Sequence, residues 1–440
     1  MADSIKVAII EDEDEETTEE ETTEYDTPLP SLCGGLFAPN LHDSSCIVQD
    51  SPVPYLPNLC RKGLYPFTDY DGCKGESGID DVMTLLFADG TLAINVPNEE
   101  IENYISQHGA IIRTYDGWND EDDYIFEECG DAPWYADRSR ITSIVVASVI
   151  SPVDTSYWFC DLENVITADV SNIDTSNTEQ FLDMFYNCVS LEELDLSGWT
   201  FNDNTKFAWM QGYGAHDHIP NVRHIDLTDV DTSAVTDFDF MFGGMWYLES
   251  IDLSSFDTAN GVEFWGMFSG DTSLTEIDVS MFDMSNATSI NGMFEWCRSL
   301  VEIDLSAWNT DSLTYCGYMF QGCNSLQYVN ASGWNTSQVF SMEYMFMDCP
   351  NLEVVRLCDW DTSNCRWVDY MFENDASLET IYTSDDWDTS LAITCSYMFY
   401  GCTSLVGEEG TTYNANYVDC ERAKIDGGVG NEGYFTRCPR

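Results

Sequence analysis

The chain has 440 residues, and 79 Asp and Glu residues against 16 Lys and Arg residues give it a formal charge of −63. Nucleic-acid phosphates and anionic membranes are bound through basic patches, so this charge excludes both as partners. A hydrophobic content of 44% and an aromatic content of 13% nevertheless predict that most of the chain buries a core.

The N-terminal 27 residues are predicted to form an acidic arm, because residues 11–26 hold eleven acids and no base and such a run repels itself. Residues 28–80, rich in Pro, Gly, Asp and Cys, follow as a loop-rich segment. Together they are the predicted attachment to a larger assembly. The apolar start, interrupted by Lys6, is not typical of a secretory signal peptide, and no apolar run approaches the roughly 18 residues of a membrane span.

Residues 81–157 are predicted to form a β-rich cap. Two apolar runs between Val82 and Val96 flank Asp89-Gly90, which is a strong signal for a hairpin. The segment from Ile141 to Ile150 predicts a further strand. Such a cap is expected where an array of repeats would otherwise expose its core.

A 26-residue repeat occupies residues 158–407. The dipeptide Met-Phe recurs at this interval at Met241, Met267, Met293, Met319, Met345 and Met371. The array extends backward through Met184 and Trp158, with an irregular member near Met210, and forward to Met398, so that about ten repeats result. The consensus is M-F-x-x-C-x-S-L-x-x-I-D-L-S-x-W-D-T-S-x-V-T-x-M-x-x, and residues 408–440 follow as a C-terminal cap.

Each repeat is predicted to contain a strand, a turn and a short helix. The Ile-Asp-Leu segment alternates apolar and polar residues, as in Ile303-Asp304-Leu305, which is typical of a half-buried strand. The Asp-Thr-Ser triplet favours a turn or a helix N-terminus, and an apolar residue three positions before Met-Phe has helical spacing. One repeat cannot bury its apolar side alone, so neighbours are expected to stack as an α/β solenoid with parallel strands.

This consensus resembles the 26-residue leucine-rich-like repeat of bacterial surface lipoproteins, often called BspA-like repeats. Residues 133–159 resemble that family's entry segment, and residues 401–437 resemble its terminal cap. The resemblance implies a right-handed solenoid with a surface-exposed role in adhesion or recognition and no enzymatic activity. Similar repeats also occur in viral and phage proteins, where a particle displays them.

The fifth position of the repeat is a cysteine column, and these thiols are predicted to be small core residues that close the turn. The alternative is a thiol ladder for a soft metal or for disulfides. Cys316 and Cys395 are predicted to be core residues, whereas a disulfide or metal role stays open for Cys33, Cys46, Cys60, Cys73 and Cys129. The column consists of Cys188, Cys297, Cys323, Cys349 and Cys402.

The Asp between Ile and Leu forms a second column that is predicted to lie on the exposed side of the strands. It is either a surface for Ca²⁺ or a cationic ligand, or a solvated acidic face that suppresses aggregation. A weak transition-metal candidate is His216, Asp217 and His218. The column consists of Asp195, Asp226, Asp252, Asp278 and Asp304, continued by Asn330.

No phosphate-binding loop, dinucleotide fingerprint, nucleophile elbow or zinc-protease motif occurs in the sequence. We therefore expect a non-enzymatic module that recognises a protein or glycan on a surface, as a virion component attached through its N-terminal part. A secreted or cell-surface adhesin is the first alternative, and a Ca²⁺-binding or hydrolytic protein is the second. The expected location is an extracellular-facing surface.

Overall fold

The computed structural model describes residues 82–115, 129–207 and 221–439, so the acidic arm and the loop-rich segment lie outside the described residues. A five-stranded sheet in the order β3-β1-β2-β4-β5 begins this part of the chain. Helix α1 (Ile101–His108) lies between β2 and β3. The strands are β1 (Val82–Phe87), β2 (Thr91–Pro97), β3 (Ile111–Tyr115), β4 (Ser143–Val146) and β5 (Thr167–Asp169).

The predicted hairpin is confirmed, because β1 and β2 pair in antiparallel fashion around Asp89 and Gly90. Asp89 accepts the backbone N–H of Thr91 at 3.0 Å, and Gly90 has a φ of +94° that favours glycine. Strand β2 then pairs with β4, and β4 pairs with β5, both in parallel. The sheet thus changes from antiparallel to parallel between the hairpin and the first repeat.

The repeats contribute short strands that pair in parallel, 26 residues apart. Ile303, Val329, Val355 and Ile381 lie on neighbouring strands in register. The predicted alternation is present, since Leu194 is buried between exposed Glu193 and Asp195. These strands are β6 (Glu193–Asp195), β7 (His224–Asp226), β8 (Glu302–Asp304), β9 (Tyr328–Asn330), β10 (Val354–Leu357) and β11 (Thr380–Thr383), and the C-terminal cap adds β12 (Phe435–Arg437). Strands β6 and β7 pair with each other, and β8 to β12 form a second five-stranded sheet.

The prediction of one short helix per repeat is wrong. Among the described residues α1 is the one α-helix, and it precedes the repeats; the other helical pieces are 3-10 segments at Asn98–Glu100, Cys129–Asp131, Tyr135–Arg140 and Cys420–Arg422. Met-Phe lies in a turn whose preceding residue has a positive φ, for example Tyr318 at +62°, and this conformation interrupts a right-handed helix. The N–H groups of Tyr318 and Phe320 bond to Glu343 and Met345 of the next repeat at 2.9 and 2.8 Å. These backbone donors therefore join two repeats instead of closing a helical turn.

A second line of parallel pairing runs along the array, formed by single bridges four residues before Met-Phe. We call it the bridge ladder. Its members in the central and C-terminal repeats are Asp237, Glu263, Ser289, Tyr315, Ser341, Trp367 and Thr394. Each repeat is thus hydrogen-bonded to the next on two sides, which aligns equivalent side chains into columns.

The core consists of these columns. The second residue of Met-Phe forms a stack of buried rings, with neighbouring centroids 5.3–5.8 Å apart from Phe242 to Phe399. Trp308, Trp334 and Trp360 form a second stack, and the indole N–H of Trp334 donates to the carbonyl of Leu305 at 2.9 Å. Full burial of one such side chain stabilises the fold by about 1.5–3 kcal/mol.

The Asp-Thr-Ser triplet forms a turn, as the sequence predicts. In the example of residues 231–233, the carboxylate of Asp231 accepts the N–H of Ser233 at 3.0 Å. Thr232 is buried and donates its hydroxyl to the carbonyl of Asp257 in the next repeat at 2.9 Å. The triplet therefore closes its own repeat and also joins it to the next.

Three disulfides lie near the two ends of the array. Cys129 pairs with Cys160 next to the first repeat, whereas Cys358 pairs with Cys438 and Cys395 with Cys420 at the C-terminal end. The prediction that Cys395 is a core thiol is wrong, because the C-terminal cap brings Cys420 to a Cα–Cα distance of 5.8 Å. The disulfide question for Cys129 is thus answered, while Cys33, Cys46, Cys60 and Cys73 lie outside the described residues.

None of the helices in the described part of the chain combines the length and apolarity that a membrane span requires.

Candidate functional site

The predicted aspartate column lies on what we call the strand face, where all five side chains are exposed. In every member one carboxylate oxygen accepts the backbone N–H two residues later, at 2.9–3.0 Å. Hydrogen bonds from Thr228 lower the pKa of Asp226, and the backbone N–H of Ser254 lowers that of Asp252. Each carboxylate of the column therefore stabilises a turn and leaves its other oxygen to solvent.

The cation hypothesis for this column has little geometric support. Within the described residues, the one group of three metal-type ligand atoms that lie together is Cys129, Cys160 and Asp161, and its two sulfurs form a disulfide. The amide of Asn330 donates to Asp304 at 3.1 Å, so the C-terminal member already has a neutral partner. A ligand role for the column stays a prediction.

The weak metal candidate of His216, Asp217 and His218 lies outside the described residues. His224 is described, at the start of β7. It lines an open, polar groove together with Glu249, Ser250, Ser273, Thr275 and Ser299. A groove of this composition offers hydrogen-bonding groups but no enclosed cavity.

The five thiols of the cysteine column are fully buried and unpaired. Each thiol donates to a Phe carbonyl of the preceding repeat at 2.8–3.1 Å. Burial raises the pKa of each thiol, as for Cys188 and Cys349. Asp271 and Asp375 replace Cys in two repeats, and burial raises the pKa of both carboxyls well above the usual value. This column is an internal packing element and offers no accessible nucleophile.

One cluster in the N-terminal sheet has the residue types of a hydrolase. The hydroxyl of Thr91 lies 3.1 Å from Nδ1 of His108, and a carboxylate oxygen of Asp89 lies 2.9 Å from the same nitrogen. A nucleophile, base and carboxylate relay uses both ring nitrogens. Because both contacts involve Nδ1, the cluster does not have the relay geometry.

A second surface, which sequence reasoning missed, carries a column of tyrosines at the position directly before Met-Phe. Tyr318, Tyr344, Tyr370 and Tyr397 stack with centroids 4.7, 4.9 and 5.6 Å apart. All four have φ between +57° and +62°, which costs a non-glycine residue about 1–2 kcal/mol. Gly266 and Gly292 occupy this position in two earlier repeats without that cost, so the four tyrosines are present in spite of the strain.

Exposed aromatic side chains lie beside this column on the bridge ladder and the adjoining position. Tyr315, Phe340 and Trp367 are 40%, 42% and 38% exposed, and the rings of Tyr315 and Phe340 lie 6.5 Å apart. We call the surface formed by the tyrosine column and these three residues the tyrosine face. Exposed aromatic clusters of this kind are typical of recognition surfaces.

Carboxylates flank the tyrosine face. Glu343 and Asp369 directly precede Tyr344 and Tyr370 in the chain. Burial, Tyr370 and Glu343 raise the pKa of Tyr344 to about 12. Burial also raises the pKa of Glu295 and of Glu373 to about 7, the second with a contribution from Asp348. The tyrosine face therefore combines aromatic surface with closely spaced carboxyl groups.

The signal for this surface is present in the sequence. Four consecutive repeats place Tyr directly before Met-Phe, and the ladder position holds Tyr315 and Trp367. A consensus that treats these positions as variable hides the pattern. Whether they are exposed depends on the turn that replaces the predicted helix.

Comparisons with known proteins identify a family and distant structural neighbours. The family model described as "Mycoplasma protein of unknown function, DUF285" matches residues 141–217, 210–332 and 316–423. A leucine-rich repeat protein from Eubacterium ventriosum matches at 13% identity with a TM-score of 0.30, over 76% of this chain and 89% of that chain. The structure of a TLR13-ssRNA13 complex matches at 14% identity with a TM-score of 0.16, over 61% of this chain and 55% of that chain. No curated protein matches the chain.

Proposed function

This chain belongs to the DUF285 family, and from that premise we propose that it is a non-enzymatic recognition module. In this proposal the repeats form a right-handed solenoid similar to BspA-like surface proteins, and they display an acidic, aromatic surface to a protein or glycan ligand. The observation that carries the proposal is the tyrosine face, where a column of partly exposed tyrosines lies beside carboxylates and beside the exposed side chains of Tyr315, Phe340 and Trp367.

The disulfides support an extracellular-facing location. Disulfides persist in oxidising compartments and on particle or cell surfaces, and they are rare where thiols are kept reduced. The three disulfides connect each end of the array to its neighbouring cap segment, while the thiols between them are buried. Disulfides at both ends of the array limit local unfolding of the terminal repeats in an extracellular environment.

Attachment through residues 1–80 remains part of the proposal, as does a virion component in preference to a cell-surface adhesin. Both assignments rest on the sequence, because these residues lie outside the described part of the chain. A Ca²⁺-binding role is the remaining alternative, supported by exposed carboxylates alone.

The test is surface accessibility in the native source. Antibodies against the repeats should label intact cells or particles without permeabilisation, and a membrane-impermeant biotin reagent should modify the protein. Labelling that appears only after lysis would contradict the proposal. Deletion of residues 1–80 should abolish incorporation of the protein into the particle or cell surface while the repeats remain folded. Immunogold labelling of cells and of purified particles distinguishes a cell-surface location from a virion location.

A thiol titration tests the oxidising location separately. Three disulfides use six of the 17 cysteines, which leaves at most 11 thiols. Protein purified from its native source and unfolded without reductant should therefore expose no more than 11 alkylatable thiols. A count of 17 would show that the protein matures in a reducing compartment.

A further inference from the structure

We propose that the tyrosine face binds a basic polypeptide segment, with Lys or Arg side chains placed against its aromatic rings and carboxylates. This inference rests on the proposed function and names the chemistry of the partner.

The first argument is the extent of the aromatic surface. The tyrosine column spans four neighbouring repeats, from Tyr318 to Tyr397. At about 4.8 Å between parallel neighbours it is roughly 15 Å long. A single small cation covers only one ring, whereas an extended peptide reaches several positions. The face therefore fits a partner with repeated side chains.

The second argument is unpaired charge. Glu295, Glu343, Asp369 and Glu373 lie along this face, and none of them forms an ion pair with Lys, Arg or His within the described residues. The basic residue of the face is Arg366, which lies between Phe340 and Ile393 along the array. Burial raises the pKa of Glu295 and of Glu373 to about 7, so these two carboxyls carry their full charge only above neutral pH. There, four acids against one base leave a negative field that attracts cations and repels anions.

The third argument is a pair of buried acceptors behind the tyrosines. Glu373 is 8% exposed and Gln321 is 5% exposed. In each, one side-chain oxygen has no hydrogen-bond partner. They occupy equivalent positions, three residues after Tyr370 and Tyr318 respectively. Buried acceptors without donors are uncommon in folded proteins, and rotation of either side chain towards the surface would let an ammonium or guanidinium group supply the missing donor.

Charge also decides against two other occupants. A second copy of this chain carries the same overall charge of −63, so its acidic surface would meet like charge here, and like charges in contact are unfavourable. An anionic glycan or nucleic acid would meet the same repulsion. A basic segment is complementary to the face in both charge and apolar character.

The experiment measures binding of a fluorescein-labelled peptide of Lys-Phe-Gly repeats to the full-length protein by fluorescence anisotropy. A peptide of Glu-Phe-Gly repeats is the charge-reversed probe, and it should not bind. The double variant Glu343→Gln with Asp369→Asn should raise Kd about tenfold. Tyr315→Ala with Trp367→Ala should also weaken binding, since both side chains are exposed and their removal leaves the core intact.

The matched control is Asp226→Asn with Asp278→Asn, which removes the same charge from the strand face and keeps an acceptor in each turn. This control should change Kd by less than about twofold. Circular dichroism confirms that each variant is folded. If the two charge variants weaken binding equally, the attraction is a general polyelectrolyte effect, and the proposal is overturned; failure of the peptide to bind at all also overturns it.

These outcomes differ from a failure of the proposed function, which is judged by surface labelling of intact cells or particles. If the protein is surface-exposed but does not bind the basic peptide, the proposed display role stands and a basic polypeptide is excluded as its partner.

Discussion

The strand face and the tyrosine face are built from the same repeat, yet their polar side chains differ in hydrogen bonding. On the strand face, the carboxylate of Asp252 accepts a turn N–H at 2.9 Å, and the column it belongs to repeats this bond in each member. On the tyrosine face, Glu373 and Gln321 keep buried oxygens without partners, and the rings of Tyr370 and Tyr318 near them are partly exposed. Satisfied polar groups stabilise a fold, whereas a buried acceptor without a donor costs free energy. The comparison therefore supports a structural role for the face that the sequence made prominent, and it agrees with the proposal of recognition by the face that it did not.

The largest expected effect separates the buried phenylalanine column from the tyrosine column. Phe320 is fully buried and stacks on a ring from each neighbouring repeat, so Phe320→Ala should lower the free energy of unfolding by about 3–5 kcal/mol. Tyr344 stacks in the same manner but is only partly buried. Tyr344→Ala should cost about 1–2 kcal/mol. Urea unfolding of both variants measures the difference, and equal losses would indicate that the tyrosine column is mainly structural.

The next effect is a pH dependence that differs between the two faces. Burial raises the pKa of Glu295 to about 7, and burial with Asp237 raises that of Asp239 to about 8. Because the folded state holds these protons more tightly than the unfolded state, their stabilisation is fully present below about pH 4 and is lost as the pH rises through 7 and 8. Glu295 alone contributes on the order of 3 kcal/mol.

The strand face has the opposite sign. The lowered pKa values of Asp226 and Asp252 give stability that is present above about pH 4 and is lost as the pH falls below it. Urea unfolding from pH 3 to pH 9 should therefore show maximal stability in mildly acidic solution. Glu295→Gln should reduce the decline in the free energy of unfolding between pH 5 and pH 8, whereas Asp226→Asn should leave this decline unchanged. Stability that rises steadily to pH 8 would contradict the assignment.

A smaller effect is expected from the threonine that joins successive repeats. Thr336 is fully buried and donates its hydroxyl to the carbonyl of Asp361 at 2.9 Å. Thr336→Val keeps the shape but removes the donor, so the free energy of unfolding should fall by about 1–2 kcal/mol. Thr336→Ser is the matched control, because it retains the hydroxyl and loses only a methyl group. A Val variant as stable as the wild type would show that this bond does not hold the repeats together.

The smallest effect tests the structural role of the aspartate column. Asp304 accepts the N–H of Ser306 at 3.0 Å and the amide of Asn330 at 3.1 Å. Asp304→Ala should cost about 1 kcal/mol, and Asp304→Asn should cost less because the acceptor remains. Thermal melting of both variants, with and without added Ca²⁺, compares the turn role with the metal role. A stabilisation by Ca²⁺ that both variants abolish would favour the metal instead.

Much of the architecture was predictable because its signals are local. The Asp89-Gly90 turn, the alternation around Ile303 and the Asp-Thr-Ser turn each depend on residues a few positions apart. The helix prediction failed because an apolar residue three positions before Met-Phe is compatible with a turn as well as with a helix. The strained backbone at Tyr318 is held by hydrogen bonds to Glu343 and Met345 of the next repeat. The spacing of residues within one repeat does not predict such contacts.

The sequence by itself determined the 26-residue period, the buried and exposed sides of each strand and the acidic character of the chain, because these follow from composition and from contacts between near neighbours. Only the tertiary structure decided which cysteines pair, where the backbone donors of the Met-Phe turn go, and which aromatic column stays partly exposed. Cys395 and Cys420 meet because the C-terminal cap folds back onto the last repeats. Each of these outcomes depends on distances between residues about one repeat or more apart, and such distances are fixed when the repeats pack against each other.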